Sequence, residues 1–179
     1  MPRNPVEDDV IVGMDNGNSG GFAAISGFDG SLISKLKTPT VSRKLASAKK
    51  PILEPDVGEI VLWLRSLEST VHIFIEEAPL HAKSARALRS QAICFAMVYG
   101  RLLGEMANYI EVHTVDVKVW QKEMLGKVPR GRTKEYAEAE ARRLNPDENW
   151  FATDRSTTPH DGIIDAYLIA QYGRGKLKG

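Results

Sequence analysis

Short apolar runs separated by glycine-rich turns dominate the first part of the sequence. The first run, 10–14, ends at Asp15, and the turn 16–21 leads from it into a second run at 22–25. Another glycine turn precedes a third run at 32–36. Apolar runs of this length that are joined by glycine turns are typical of strands connected by hairpins. We therefore predict three consecutive antiparallel strands.

Helical and extended patterns alternate along the rest of the chain. Apolar residues between Asp56 and Leu67 recur at helical spacing, whereas the run 71–75 is apolar on both faces, as in a strand covered on both sides. The same patterns predict a long helix at 84–107 and another strand at 110–115. They also predict three further helices, at 116–125, 133–144 and 160–172. Residues 38–55 are rich in proline and lysine, and we predict a mobile basic connection there.

The order of these elements predicts the fold class. Strand–helix–strand units imply parallel strands joined by crossover connections, here after an opening meander. We expect an α/β protein with a mixed five-stranded sheet and helices on both faces. A chain of 179 residues is long enough for one well-buried domain, and we expect a single domain over 1–179.

Composition narrows the functional class. The sequence is 42% hydrophobic and 26% charged, as in soluble globular proteins, and no stretch approaches the roughly 20 apolar residues that a bilayer crossing needs. We expect no membrane contact. Residues 1–10 lack the apolar core of a secretory signal, so we expect a cytoplasmic location. The single cysteine, Cys94, has apolar neighbours and is expected to be a buried structural thiol.

Charge is segregated along the chain although the net charge is only +1. The segment 35–50 has six Lys or Arg and no acid, and 81–134 has ten basic against four acidic residues. The segment 54–77 has the opposite bias, with six acids against Arg65. This pattern fits a cationic surface around an acidic centre. Solvated loops and helix faces explain any one segment equally well.

Four carboxylates lie at the edges of predicted apolar elements. Asp15 ends the first strand, and Glu76 ends the strand that begins at 71. If these strands are neighbours in the sheet, the two acids emerge at adjacent strand ends. Asp161 and Asp165 lie four residues apart, so one face of the last helix carries both. We predict that folding gathers the four acids in one pocket.

An acidic pocket of this kind calls for cations, because carboxylates held together repel one another. Oxygen ligands favour Mg²⁺, with Mn²⁺ as a substitute, over zinc. Two such ions about 4 Å apart suit phosphodiester hydrolysis, which predicts a nuclease centre. The sequence has no zinc signature, since it lacks Cys-x-x-Cys. Its four histidines are scattered along the chain, at His72, His81, His113 and His160.

Each acid also has an ordinary structural explanation. Asp15 is a common residue in a glycine turn, Glu76 could meet water at a strand end, and Asp161 could stabilise a helix N-terminus. Asp165 is harder to explain in this way. Its neighbours are apolar, and an uncompensated charge among them is costly unless it faces a cleft.

The sequence resembles a known family in four places that follow one another along nearly the whole chain. They are GMDNG, the strand-terminal IEE, VDVKVWQKEMLG and HDGIIDAYLIAQYG. Together they are similar to the RuvC-like Holliday junction resolvases of the ribonuclease H-like superfamily, especially the phage-type members. The resemblance implies a ribonuclease H-like fold and a Mg²⁺-dependent, homodimeric endonuclease. Such an enzyme makes paired nicks in four-way DNA junctions and uses no small-molecule cofactor.

The resemblance also implies roles for individual residues. By position, the catalytic and metal-binding tetrad corresponds to Asp15, Glu76, Asp161 and Asp165. Bacterial members usually space the last two positions by three residues, whereas the spacing here is four, as in phage and mitochondrial resolvases. His160 is therefore a candidate auxiliary group, and Glu77 a candidate alternative to Glu76.

Basic residues form two candidate DNA-binding groups. The first recurs at three-residue spacing near the start of the long helix, at Lys83, Arg86 and Arg89. The second surrounds a glycine-proline loop, at Lys118, Lys122, Lys127, Arg130, Arg132 and Lys134. Both are suited to phosphate contacts, and each residue singly is equally explained as solvated surface. By resemblance the long helix would form a dimer interface, although core packing explains its apolar positions equally well.

Other functions share parts of these patterns. An Asp followed by a glycine-rich hairpin also forms the phosphate-binding turn of sugar-kinase or actin-like ATPases, but those proteins need a second related domain. A non-catalytic DNA-binding module would not need four acids. A ribonuclease H or a flap nuclease remains open, because the same metal centre cuts phosphodiesters and the surface selects the substrate.

Overall fold

The computed structural model describes residues 9–44, 51–67, 69–78, 84–106 and 110–179. The strands are β1 (Val10–Asp15), β2 (Gly21–Ser26), β3 (Leu32–Lys37), β4 (Thr40–Arg43), β5 (Ile52–Pro55), β6 (Val71–Glu76) and β7 (Ile110–Val115). The helices are α1 (Val57–Arg65), α2 (Ala85–Met106), α3 (Val117–Leu125), α4 (Thr133–Leu144) and α5 (Asp161–Lys178).

Five of the strands form one mixed sheet in the order β3-β2-β1-β6-β7. The opening meander is antiparallel, because β1 pairs with β2 and β2 with β3. The other two pairs, β1 with β6 and β6 with β7, are parallel. α1 precedes β6 and α2 precedes β7, as crossover connections require. The predicted α/β fold with its mixed five-stranded sheet is confirmed.

Side chains alternate along β1 and divide the core into two layers. Val12 and Met14 pack on the face covered by α1 and α2, together with Ile73 of β6. Ile11 packs on the opposite face, against α3, α4 and α5, which we call the α5 face. Because both faces are covered, the strand reads as a continuous apolar run. Alternation places Asp15 on the α5 face.

Helix α5 lies directly on β1 because glycines leave room for its backbone. A Cβ atom on Gly13 would lie 1.9 Å from the carbonyl oxygen of Ala166, and one on Gly162 would lie 2.5 Å from the Cα atom of Gly20. Neither position tolerates a side chain without movement of backbone atoms. A parallel bridge also joins Gly20 to Gly162. The first turns of α5 are thus held against the turn that follows Asp15.

Helix α5 continues beyond the predicted end at 172. Gly173 does not end the helix, because it is the point at which the helix passes the ring of Phe74. A Cβ atom there would lie 2.3 Å from Cδ2 of that ring. The glycine that the sequence suggests as a helix terminator is therefore a packing residue.

The described part of 38–55 contains two paired strands that the sequence patterns do not predict, and the mobile connection stays a prediction. β4 and β5 pair antiparallel, with Thr40 opposite Pro55 and Arg43 opposite Ile52. All four side chains of β4 are exposed. The sequence therefore has no alternation of apolar and polar residues that would mark this strand.

Two expectations from composition can be compared with the structure. Cys94 is buried and free, and burial raises the pKa of its thiol to about 11, so this group stays protonated and unreactive at neutral pH. Among the helices of the described residues, none is both long and apolar enough to cross a membrane.

Candidate active site

β1 and β6 bring two of the predicted acids to one edge of the sheet. Their parallel register pairs Met14 with Ile75, so the next residues, Asp15 and Glu76, end adjacent strands. Phe74 packs on the α5 face, and strand alternation places Glu76 on that face as well. The two carboxylates therefore lie on the same face of the sheet.

Helix α5 brings the other two acids to the same edge. His160 caps the helix, since its Nδ1 accepts a hydrogen bond of 3.3 Å from the backbone N–H three residues later. Asp161 begins the first turn, and Asp165 follows one turn later. The residue next to Asp165, Ala166, contacts Gly13 in β1. The helix thereby places its carboxylates beside the end of β1.

The pKa values show that the four carboxylates act on one another. Burial raises the pKa of Asp15 well above its ordinary value, and the charges of the other three acids raise it further. Burial and the charges of Glu76 and Asp161 raise the pKa of Asp165 to about 7. Burial also raises the pKa of Glu76. Asp15, Glu76 and Asp165 are thus costly to ionise unless a cation lies nearby.

We predict that this cluster makes the metal-free protein less stable as the pH rises. The pKa of Asp165 is raised from 3.8 to about 7. Its protonated form is favoured in the fold, so stability is retained below about pH 4 and lost as the pH rises through about 7. The full loss is on the order of 4 kcal/mol. Thermal unfolding in EDTA should therefore show Asp165→Asn gaining stability over the native sequence at pH 8.

The control for this experiment is Asp154→Asn, because Asp154 is an exposed carboxylate. It should follow the native sequence at pH 4.5 and at pH 8. An advantage of Asp165→Asn that is the same at both pH values would mean that ionisation of Asp165 does not destabilise the fold.

Two further side chains contact the acids directly, and neither contact is predicted from the sequence. Trp120 is fully buried, and its indole Nε1 donates a hydrogen bond of 2.9 Å to Oε2 of Glu76. Lys134, predicted as a DNA-binding residue, donates from Nζ to Oδ2 of Asp161. Trp120 and Glu76 are 44 residues apart, and Lys134 and Asp161 are 27 apart. No local sequence pattern reports such contacts.

We predict that Trp120→Phe lowers cleavage without abolishing it. The substitution removes the hydrogen bond that orients the Glu76 carboxylate, and a bond to a charged group contributes about 1.5–3 kcal/mol. We expect a loss of roughly tenfold to a hundredfold in rate and a higher Mg²⁺ concentration for half-maximal cleavage. A titration of the cleavage rate against Mg²⁺ measures both quantities.

Trp63→Phe is the matched control for this substitution. Trp63 also donates an indole hydrogen bond, of 3.0 Å to Ser34, but it packs on the opposite face of the sheet. An equal change in the Mg²⁺ requirement of both variants would contradict a specific role for Trp120.

The remaining predicted residues are distributed around the acids. Glu77 is exposed. The ring of His160 caps α5, and burial lowers the pKa of this side chain. Lys83 lies outside the described residues, and Arg86 belongs to α2. The second basic group is exposed throughout, on α3, on the loop 126–132 and at the start of α4: Lys118, Lys122, Lys127, Arg130, Arg132 and Lys134.

A cavity of about 420 Å³ lies next to the glycine turn that follows Asp15. Arg89 and Asn18 are among its lining residues. The turn is tied to both walls, because Asn18 Nδ2 donates 2.8 Å to the carbonyl oxygen of Leu53 and Asn16 Nδ2 donates 3.3 Å to that of Gln91. Arg89 therefore lies near the glycine turn, in a cavity whose walls are formed by α2 and β5.

The residues present fit a hard divalent ion. The four side chains offer oxygen atoms alone, and burial makes the negative charges of Asp15 and Asp165 costly without a cation. In the part of the chain that the structure describes, a tighter group of possible metal ligands lies elsewhere. His72, Glu111 and His113 have ligand atoms that all lie within 4.8 Å of one another, so these three could hold a metal ion.

The sheet order, with helices on both faces, defines an α/β protein of the ribonuclease H-like fold. The structure of Thermus thermophilus RuvC in complex with a Holliday junction substrate has this fold, with a TM-score of 0.53 and 14% identity over 94% of this chain and 96% of that chain. Another Thermus thermophilus RuvC structure has a TM-score of 0.49 and 14% identity over 94% and 97%. No family model and no curated protein matches the sequence. The phage-type assignment stays a prediction.

Proposed function

We propose that the protein is a metal-dependent endonuclease that resolves four-way DNA junctions, and other branched DNA, by paired nicks. The main support is the position of Asp15, Glu76 and the two α5 acids on one face of one sheet edge. The pKa values of Asp15 and Asp165 are raised in part by the charges of the neighbouring acids, which supports this grouping. The shared fold with a RuvC solved on a Holliday junction substrate supports the choice of DNA.

The tetrad would hold two Mg²⁺ ions, or Mn²⁺ in their place. When bound, such ions activate a water molecule and stabilise the leaving oxygen of a phosphodiester. The protein's own contribution is to position the acids. Trp120 orients the Glu76 carboxylate through its indole N–H. Lys134 pairs with Asp161 and lowers the negative charge at the exposed side of the cluster.

The basic surface adjoins the acids through the same two contacts. Trp120 lies on α3 and Lys134 on α4, so the exposed loop 126–132 connects two helices that both reach the acidic cluster. A phosphate backbone bound along that loop would pass close to the carboxylates. We propose that this loop positions DNA for cleavage.

We predict that Lys127→Gln weakens junction binding and reduces its dependence on salt. Each phosphate contact that is lost lowers the slope of log affinity against log salt by about one. Lys178→Gln is the control, because Lys178 donates to the carbonyl oxygen of Phe28 near the other end of α5. Titrations of fluorescent junction at several salt concentrations in EDTA measure both slopes. Equal slopes for the two variants would exclude Lys127 from the phosphate contacts.

A homodimer would place two acidic clusters on one junction, as paired nicks require. α2 buries Val98 and Leu102 in the core but exposes 37% of Ile93 and 46% of Leu103. These exposed apolar side chains support α2 as part of a dimer interface. Sedimentation equilibrium of the free protein and of its junction complex tests this assembly.

The deciding experiment offers four DNA or hybrid substrates to the protein, in Mg²⁺ and in EDTA. They are a four-way junction, a flap, a linear duplex and an RNA–DNA hybrid. Symmetric nicks in the junction, with no cleavage in EDTA, would support the proposal. Preferential cleavage of the hybrid would show a ribonuclease H instead, and preferential cleavage of the flap would show a flap nuclease.

A further inference from the structure

A second group of possible metal ligands lies at the opposite end of the sheet from the acidic cluster. His72 and Glu111 are direct neighbours across the parallel pair β6 and β7, and His113 lies opposite Phe74 one pleat further on. All three belong to the α5 face, because Phe74 and Val115 pack there. The strand register therefore brings together two histidines that lie far apart in the sequence.

The ligand atoms of this group converge on one point. The distance from His72 Nδ1 to Glu111 Oε2 is 3.2 Å, and that from His113 Nε2 to the same oxygen is 3.8 Å. Neighbouring ligands of a tetrahedral zinc ion with bonds of about 2.0–2.1 Å lie roughly 3.4 Å apart. The observed spacings are close to that value.

In this cluster, one ring nitrogen of each histidine lacks a hydrogen-bond partner among the described residues. Asp9 Oδ2 lies 2.9 Å from His72 Nε2, and a carboxylate there accepts the Nε2–H hydrogen bond. Nδ1 of His72 then presents its lone pair to the Glu111 carboxylate. His72 is only 8% exposed, and among the described residues neither its Nδ1 nor Nε2 of His113 has a hydrogen-bond partner. Buried polar atoms in this state are costly unless something binds them.

We propose that His72, Glu111 and His113 bind one transition-metal ion, of which Zn²⁺ is the best match. Two imidazole nitrogens with one carboxylate favour such ions over Mg²⁺. Asp9 completes the arrangement, since a carboxylate on the second nitrogen of a ligating histidine fixes the ring. The Glu111 side chain is 67% exposed, which leaves the remaining coordination position open to water.

The ring of His113 is already held for this role. It stacks on Phe74 with a centroid distance of 4.5 Å and an angle of 17°.

The position of the site indicates a structural role. β7 is an edge strand of the sheet, and Asp9 immediately precedes β1. An ion here would join β7 to β6 and, through Asp9, to the start of β1. This inference does not depend on the proposed nuclease function, because the acidic cluster contributes none of the ligands.

The test uses full-length protein carrying Asp15→Asn and Asp165→Asn, so that the acidic cluster does not compete for metal. After removal of metal with a chelator, the protein is titrated with Co²⁺ and with Zn²⁺. We expect one ion per chain, visible absorption bands of Co²⁺ bound to nitrogen, and a higher melting temperature with Zn²⁺ but not with Mg²⁺. His113→Gln or Glu111→Gln should weaken binding at least tenfold, and Asp9→Asn roughly tenfold to a hundredfold.

Glu138→Gln is the matched control, because Glu138 pairs with Arg142 on the surface of α4. It should bind metal like the parent protein. Glu111→Gln keeps the proposal testable if His113→Gln fails to fold, since the Glu111 side chain is largely exposed. Absence of Co²⁺ and Zn²⁺ binding in the parent, or equal binding by Glu111→Gln, would overturn the site. His72 would then be held only by its contacts with the carboxylates of Asp9 and Glu111.

Discussion

Replacing Asp165 with asparagine is expected to lower the rate of junction cleavage at least about a thousandfold. The amide removes one anionic oxygen from the centre of the acidic cluster, where burial and two neighbouring charges act on it. A thousandfold loss corresponds to about 4 kcal/mol of transition-state stabilisation. Junction affinity should change by less than about threefold, because the basic surface supplies it. Single-turnover cleavage in Mg²⁺ and binding titrations in EDTA measure the two effects separately.

Asp15→Asn should have the same effect, whereas Asp154→Asn should cleave at the native rate. Asp154 is an exposed carboxylate in the irregular segment before α5 and so controls for the change of charge. If binding and cleavage fell together in Asp165→Asn, the separation between metal ligands and DNA-binding residues would be wrong. Undiminished cleavage would exclude Asp165 from the catalytic set.

Replacing Gly13 with alanine is expected to destabilise the protein by about 3 kcal/mol or more. The new Cβ would lie 1.9 Å from the carbonyl oxygen of Ala166 and 2.4 Å from the backbone nitrogen of Ala170. Both are backbone atoms of α5, so the helix has to move away from β1. We expect the melting temperature to fall by roughly 10 °C. Cleavage should fall as well, because Asp165 moves with the helix.

Gly100→Ala is the matched control for this substitution. Gly100 lies in α2, and among the described residues a Cβ atom there would meet nothing within 4 Å beyond its chain neighbours and the backbone of its own helix. Alanine is the better helix former, so this variant should be slightly more stable than the native protein. If Gly13→Ala unfolded at the same temperature as Gly100→Ala, the close contact between α5 and β1 would be wrong.

The main elements of the fold can be predicted from the sequence because their buried residues form regular apolar patterns. β1 and β6 are covered on both faces, and their apolar runs end at the strand ends. The strand β4 is not predictable from an apolar pattern, because every residue of Thr40–Arg43 is exposed. The end of α5 was placed too early, since a glycine that packs against Phe74 has the same appearance in sequence as one that ends a helix.

The positions of the acids at strand ends and on one helix face can be predicted from the sequence. The side chains that contact them cannot. Strand ends and an i, i+4 pair indicate where carboxylates will lie, because both follow from secondary structure alone. The hydrogen bond from Trp120 to Glu76 depends on how α3 packs on the sheet, and sequence spacing contains no information about it. The same holds for His72 and His113, which are brought together only by the register of β6 and β7.

The arrangement of α5 on β1 has a consequence for synthesis in the cell. Asp15 and Asp165 are 150 positions apart, and every strand of the sheet precedes α5 in the sequence. A nascent chain on the ribosome therefore exposes β1 and β6 well before the last helix emerges, and contacts over such separations form late. If cleavage requires all four acids, a polypeptide that still lacks α5 cannot cut DNA. Translation itself would then delay the activity until α5 has emerged.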